Sequence, residues 1–97
     1  MAYNHVNITV ATTPTALVTI PAGNPNTAVT IQNNHSAALF IGDATVTATT
    51  AGANSGFSVA AAGAVTLWLQ ANSTVYGIVS TAATATGVVK AIYSTVV

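Results

Sequence analysis

The segment Val65-Thr66-Leu67-Trp68-Leu69-Gln70 alternates its side chains at every step. A period of two residues is typical of a β-strand with one buried face, because successive side chains point to opposite sides of the sheet. Val65, Leu67 and Leu69 are therefore predicted to face a core. Trp68 then lies on the opposite face, where an exposed tryptophan is a good interface anchor. The alternative is that a neighbouring loop covers Trp68 in a second packed layer.

Turn-forming residues bound this strand on both sides, with Ala60–Gly63 before it and Ala71–Ser73 after it. Short extended segments between such turns recur along the whole chain, with Phe57–Val59 as a brief extended piece and Val46–Thr50 as a short edge strand. The other predicted strands are Asn4–Val10, Ala16–Ile20, Ala28–Asn33, Ala38–Ile41, Val75–Ser80 and Val88–Thr95.

Seven or eight short strands, spaced by about eight to twelve residues, predict an all-β fold that is either a β-sandwich or a small β-barrel of antiparallel strands. The abundant Thr and Val are β-branched and suit a half-buried strand. A chain of 97 residues has room for one core, so residues 1–97 are predicted to form a single domain. The Asn33-Asn34-His35-Ser36 segment predicts a hairpin turn, because Asn tolerates positive φ.

The chain is almost free of charge. It contains one Lys and one Asp and has a formal net charge of zero. Binding to nucleic acid is excluded because it requires many cationic side chains, and a basic membrane-surface helix is excluded for the same reason. No run of 18 apolar residues predicts a transmembrane helix, and the N-terminal stretch lacks the basic residues of a signal peptide. Cysteine is absent, which excludes disulfides and thiolate zinc sites.

Few side chains are suited to catalysis or metal binding. His35, Ser36 and Asp43 are close in sequence, but the adjacent His35 and Ser36 do not easily converge in a hydrolytic triad. A single carboxylate excludes two-carboxylate glycoside hydrolysis within one subunit. His5, His35 and Asp43 lack the spacing of a metal site. We predict that the protein is not an enzyme and has no catalytic, cofactor-binding or metal-binding residue. A histidine ring around an oligomer axis and an ice-binding face of Thr-x-Thr pairs are lesser alternatives.

A neutral surface favours association. Neutral faces also dock without the desolvation cost of charged groups, so we expect the surface to be covered in an assembly. The alternative is a monomer kept in solution by hydroxyl and amide groups. The segment from residue 1 to 10 is predicted to pair or exchange with a neighbour by adding to its sheet. The candidate interface residues are Val6, Ile8, Val10, Trp68, Tyr76 and Tyr93.

The order of elements from about Ala28 to Ile92 resembles that of a known class of proteins. The segments that carry the likeness are Ile31-Gln-Asn-Asn34, Leu39-Phe-Ile-Gly-Asp43 with Val46-Thr47, Gly56-Phe57, Ala62-Gly63, Val65-Thr66-Leu67 and Val75-Tyr-Gly-Ile78. They resemble the small all-β virion surface proteins of tailed bacteriophages that decorate or cement the head. The likeness covers about two thirds of the chain, and its motifs are structural rather than catalytic.

The resemblance implies a structural protein of the virion, located on the capsid surface. It also implies a homotrimer that clamps neighbouring subunits of the major capsid protein, without a cofactor and without nucleic-acid or membrane partners. The alternatives are a head-fibre or spike base or a tail adhesin module. A glycan-binding module, with Trp68 or a tyrosine as stacking platform, is a less favoured alternative.

Overall fold

In the residues that the structure describes, eight β-strands form two four-stranded antiparallel sheets that pack face to face. The computed structural model describes residues 2–10, 12–34, 37–48, 52, 54–79 and 89–95. The predicted all-β sandwich is thereby confirmed. The strands form two separate sheets and not the alternative barrel. The strands are β1 (Ala2–Ile8), β2 (Thr15–Thr19), β3 (Thr27–Asn33), β4 (Leu39–Gly42), β5 (Phe57–Val59), β6 (Ala64–Leu69), β7 (Thr74–Val79) and β8 (Val89–Thr95).

The strand order is β1-β8-β3-β6 in the first sheet, sheet A, and β2-β7-β4-β5 in the second, sheet B. Consecutive strands alternate between the sheets, and among the described strands β4 and β5 are the only sequence neighbours that pair. Eight strands arranged as two interleaved Greek keys form a jelly roll. Among the described residues, no helix is long and apolar enough to cross a lipid bilayer.

Two local predictions are wrong. The segment after Asn33 is not a hairpin turn, because β3 and β4 lie in different sheets and the chain crosses between them; His35 and Ser36 themselves lie outside the described residues. The predicted edge strand at Val46–Thr50 is also wrong over its described part. Val46 is buried in a loop, and Thr47 makes one isolated bridge to Ser55.

The core lies between the two sheets and follows the predicted alternation. The largest fully buried apolar side chains come from both sheets and from the end of β2; they are Ile20, Val29, Ile31, Leu39, Val79 and Val89. Half-buried Val65, Leu67 and Leu69 of β6 pack against this cluster, as the period of two predicts. Burial of such side chains stabilises the fold by about 25 cal/mol per Å² of apolar surface.

A second, smaller cluster lies on the outer face of sheet B. Phe40 of β4 and Ile78 of β7 are paired across the sheet and are buried together with Val46. Val46 belongs to the loop between β4 and β5, so this loop folds over the outside of sheet B. Ala38, Ala48 and Tyr76 pack against the same cluster. The protein therefore covers part of the outer face of sheet B with its own chain.

Candidate docking face

The outer face of sheet A has no comparable cover among the described residues. We call it the open face. It is formed by the outward-facing residues of all four strands, namely Tyr3, His5, Asn7, Ala28, Thr30, Gln32, Ala64, Thr66, Trp68, Lys90, Ile92 and Ser94. Lys90 is its one charged residue. Lys90 lies on β8, between β1 and β3 and away from both edges of the sheet, and its side chain is exposed.

Three large apolar side chains stand exposed on the open face. Tyr3 of β1 is 78% exposed, Trp68 of β6 is 73% exposed and Ile92 of β8 is 48% exposed. Large exposed apolar groups that share one face are typical of an interaction site, whereas single scattered ones are ordinary. Thr30 and Thr66 lie between them, with their hydroxyl oxygens 3.0 Å apart. The face thus offers apolar anchors separated by neutral hydrogen-bonding groups.

Two shallow grooves cross the open face. One of about 400 Å³ is bordered by Tyr3, Trp68, Ile92 and the loop that enters β3. The other, of about 570 Å³, lies around His5, Gln32 and Lys90. Both grooves are open to solvent, and residues of all four strands of sheet A border each of them, so a partner that fills either groove contacts several strands.

A buried amide fixes the wall of the first groove. Asn24 donates from Nδ2 to the Thr27 hydroxyl at 2.9 Å and to the Ser94 carbonyl at 3.2 Å. Thr27 in turn donates to the carbonyl of Pro25 at 2.7 Å. These bonds tie the loop before β3 to the end of β8. The sequence Asn24-Pro25-Asn26-Thr27 has the composition of a turn, and nothing in it predicts that the side chains of Asn24 and Thr27 are buried.

The aromatic candidate residues separate into two groups. Trp68 is on the open face, as the alternation along β6 predicts. Tyr93 is half-buried, packs against the core and also borders the first groove. Tyr76 lies on the other side of the molecule, half-buried against the Phe40 cluster. Sequence reasoning missed Tyr3 and Ile92, although the alternation along their strands contains the signal.

The candidate residues of the first strand lie inward. Val6 and Ile8 are half-buried against the core, and Val10 is buried in it. Their side chains are therefore occupied within the subunit. What the strand offers to a neighbour is its backbone, because β1 is an edge strand of sheet A.

The titratable groups are dispersed. Asp43 lies in the turn after β4, His5 lies on the open face, and His35 is outside the described residues. Asp43 Oδ1 accepts a hydrogen bond from the Thr45 hydroxyl at 2.6 Å and another from the Thr45 backbone N–H at 2.9 Å. The hydroxyl bond first, and the backbone bond second, hold the pKa of Asp43 below its ordinary value, against a small opposing effect of desolvation. This carboxylate stabilises its own turn.

We expect Thr45→Ala to raise the pKa of Asp43 toward its ordinary value, because the stronger of the two bonds is lost. Since the folded pKa is lowered, the turn gains stability above the ordinary carboxyl pKa and loses it as the pH falls through the lowered value. NMR titration of the Asp43 carboxyl carbon measures the change. Thr47→Ala, a matched change in the same loop, is the control, and an equal shift in both variants contradicts the assignment.

No group of three His, Asp or Glu side chains converges on a metal-sized site within the described ranges. The open face, with its exposed Tyr3, Trp68 and Ile92, is the candidate recognition surface. In comparisons with known proteins, no family model, no curated protein and no solved structure matches the chain.

Proposed function

We propose that the protein is a non-catalytic structural subunit of a virion that docks through its open face on the surface of a viral shell. There it decorates or cements the capsid by clamping neighbouring subunits of the major capsid protein. The observation that carries the proposal is the asymmetry of the two sheets. Sheet B covers part of its outside with the loop that holds Val46, while sheet A leaves Tyr3, Trp68 and Ile92 exposed.

The charge distribution supports docking on protein. Lys90 is the one charged residue on the open face, and Asp43 lies in a turn of sheet B. A neutral face that carries exposed aromatic side chains matches the cores of protein–protein interfaces, which are depleted in charge and enriched in Tyr and Trp. Many copies on one shell multiply a modest interface, because each copy is held at several contacts at once. Jelly rolls occur in viral capsid domains and in lectins, so the fold itself is compatible with two functions.

A second candidate function is binding of a neutral oligosaccharide. The groove of about 400 Å³ has Tyr3 and Trp68 on its borders and amide and hydroxyl groups in its wall. Flat aromatic rings and neutral hydrogen-bonding groups are suited to a sugar, which presents both an apolar face and hydroxyls. Under this alternative, Trp68→Ala abolishes binding on a glycan array while the wild type binds.

We expect Ile92→Glu to weaken retention on emptied heads of the phage that encodes this chain by at least tenfold. Ile92 lies on β8, away from both edges of sheet A, so the change places a carboxylate in the centre of the docked face. Burying a carboxylate at the docked face costs free energy in addition to the lost apolar contact. Co-sedimentation of purified protein with the heads measures retention, and electron microscopy locates it.

The matched control is Ser58→Glu, which adds the same charge at an exposed position of sheet B. It should bind like the wild type. Equal binding of all three proteins refutes docking through the open face. Absence of wild-type binding to the heads, together with binding on the glycan array, favours the second candidate.

A further inference from the structure

The four edges of the two sheets differ in how they are protected. In sheet B, the edge strand β2 carries a β-bulge between Ala16 and Val18, and the edge strand β5 has only three residues. Bulges and very short strands are two of the devices that prevent an edge from pairing with another chain. In sheet A, the edge strands β1 and β6 have seven and six residues, with continuous register to their neighbours and no proline or charged residue. Over the part of the chain that the structure describes, sheet A therefore has two long edges without these protections.

The direction of the unpaired backbone groups follows from one bond. Asn33 donates its N–H to the Gly63 carbonyl at 2.8 Å, at the start of the β3–β6 pair. Because backbone direction alternates along a strand, Val65, Leu67 and Leu69 point their backbone groups at β3. The intervening residues of β6 point theirs at the free edge. The same alternation can be followed through β3 and β8 to β1. Three residues of β1 therefore point their backbone groups at the other free edge. The six residues are Ala64, Thr66 and Trp68 on β6, and Tyr3, His5 and Asn7 on β1.

The two most exposed aromatic side chains lie at opposite ends of one row across the open face. Tyr3 is paired with Ser94, and Ala28 is paired with Trp68. The pairing of Thr30 with Ile92 places Ser94 opposite Ala28 two residues further on. Tyr3 and Trp68 are thus three strand spacings apart, or about 14 Å, with one at each free edge.

We propose that β6 of one copy of this chain pairs with β1 of a second copy, so that sheet A continues from subunit to subunit. The pairing is antiparallel and brings Trp68 opposite Tyr3, Thr66 opposite His5, and Ala64 opposite Asn7. The strand directions then alternate across the junction as they do within sheet A, and the open faces of the two copies lie on the same side of the joined sheet. At this register, the three residues of each edge whose backbone groups point away from the sheet lie opposite one another and form hydrogen bonds.

Head-to-tail pairing is favoured over pairing of like edges by the side chains that it joins. Two β1 strands paired about a two-fold axis at His5 place Tyr3 opposite Asn7, and two β6 strands paired at Thr66 place Trp68 opposite Ala64. Among these three registers, only the β6–β1 junction makes the two exposed aromatic rings a cross-strand pair, a contact worth about 0.5–1.5 kcal/mol beyond the area that it buries. No charged side chain of either strand opposes the contact.

The size of the junction indicates a closed or repeating assembly. A contact of one strand edge with two aromatic rings lies toward the low end of interfaces, below about 1,200 Å² in total. An isolated pair held by one such junction is weak. Head-to-tail contacts generate rings or filaments, in which each inner copy makes two junctions. The inference concerns self-association and does not depend on binding to a shell.

The absence of cysteine allows a direct test. In the double variant His5→Cys with Thr66→Cys, the two thiols of one chain are about 14 Å apart, too far for a disulfide, which needs Cα atoms within about 7 Å. Across the proposed junction the Cα atoms of the two positions lie about 5.5 Å apart, which is within the range of a disulfide. Mild oxidation at tens of micromolar protein should give a covalent ladder or ring of several subunits on a non-reducing gel, reversed by reductant.

Two matched variants guard against random collision. His5→Cys with Ser58→Cys places the second thiol on sheet B and should give no ladder. His5→Cys alone should remain uncrosslinked, and a covalent dimer from that variant overturns the proposal in favour of paired β1 strands. Circular dichroism and thermal melting confirm that each variant folds.

Light scattering of the unmodified protein gives an independent readout. We expect a mass that is a multiple of the 9.6 kDa chain and increases with concentration. Thr66→Lys, which puts a charge at the free edge, should shift the protein to monomer, whereas Ser58→Lys should not. A monomeric wild type at millimolar concentration overturns the proposal. Ile92→Glu should leave cross-linking unchanged, so failure of shell docking and failure of the junction remain distinguishable.

Discussion

Asn33→Asp is expected to leave the protein largely unfolded at neutral pH. The Asn33 side chain is 0% exposed, and its Nδ2 donates to the carbonyl oxygens of Ala37 and Val59 at 3.0 Å and of Ala60 at 3.2 Å. A carboxylate in that place has no N–H to donate and faces three oxygens. A buried charge that faces carbonyl oxygens in this way lowers the free energy of unfolding by about 4 kcal/mol, which is most of the stability of a small domain.

The measurement is urea unfolding followed by circular dichroism. Asn34→Asp is the matched control, because its side chain is exposed one residue further along and the same change there should cost less than about 0.5 kcal/mol. Burial raises the pKa of the introduced carboxyl. The loss in free energy of unfolding therefore grows as the pH rises from about 4. It shrinks at lower pH, where the carboxyl group is protonated in both the folded and the unfolded state. A pH-independent deficit, or equal losses in the two variants, contradicts the role given to Asn33.

Gly56→Ala is expected to lower the free energy of unfolding by about 2–3 kcal/mol, although Gly56 belongs to a loop. A Cβ at this position would lie 2.6 Å from Val46 Cγ2, 2.9 Å from the Ile41 carbonyl oxygen and 3.0 Å from the Ile41 nitrogen. Because two of these atoms are backbone atoms of β4, a side-chain rotation does not relieve the clash. Overpacking of this kind typically costs 1–3 kcal/mol. The change should also displace Val46 from the Phe40 cluster and expose the outside of sheet B.

Gly42→Ala is the matched control. Its Cβ would meet only the Val46 side chain, at 3.1 and 3.2 Å, which can yield by a few tenths of an ångström. We expect a loss of about 1 kcal/mol, and a smaller change in the environment of Tyr76, seen by near-ultraviolet circular dichroism. A larger loss for Gly42→Ala than for Gly56→Ala contradicts the assignment of the close backbone approach to Gly56.

The strands were predictable because a period of two residues is a local signal. β6 shows this best: Val65, Leu67 and Leu69 face the core and Trp68 faces outward, as the six-residue pattern alone predicts. The bounds of the confirmed strands lie within two residues of the predicted ones, and Phe57–Val59 coincides with β5; the differences fall where turns and strand ends compete. The exposed position of Tyr3 was available from the same alternation along β1, but the first predicted strand began one residue too late to include it.

Polar residues in the interior were not predictable. Asn24 and Asn33 look like turn residues, since Asn is common in turns and tolerates positive φ. Both are buried here because they donate to carbonyl groups distant in sequence: Asn33 bonds to Val59 and Ala60, and Asn24 bonds to Ser94. Val46 looks like a strand residue and instead closes the outside of sheet B. Each of these positions depends on what the chain places beside it.

By itself the sequence determined that the protein is a neutral all-β chain whose strands have one inward and one outward face, because charge and alternation are properties of single residues and their nearest neighbours. The tertiary structure alone decided the order of strands within the two sheets, the cover over sheet B and the exposure of Tyr3, Trp68 and Ile92 on the open face of sheet A. The physical reason is that strand pairing and loop packing join residues far apart along the chain, such as Ala2 with Thr95, and their choice depends on the free energy of the whole fold.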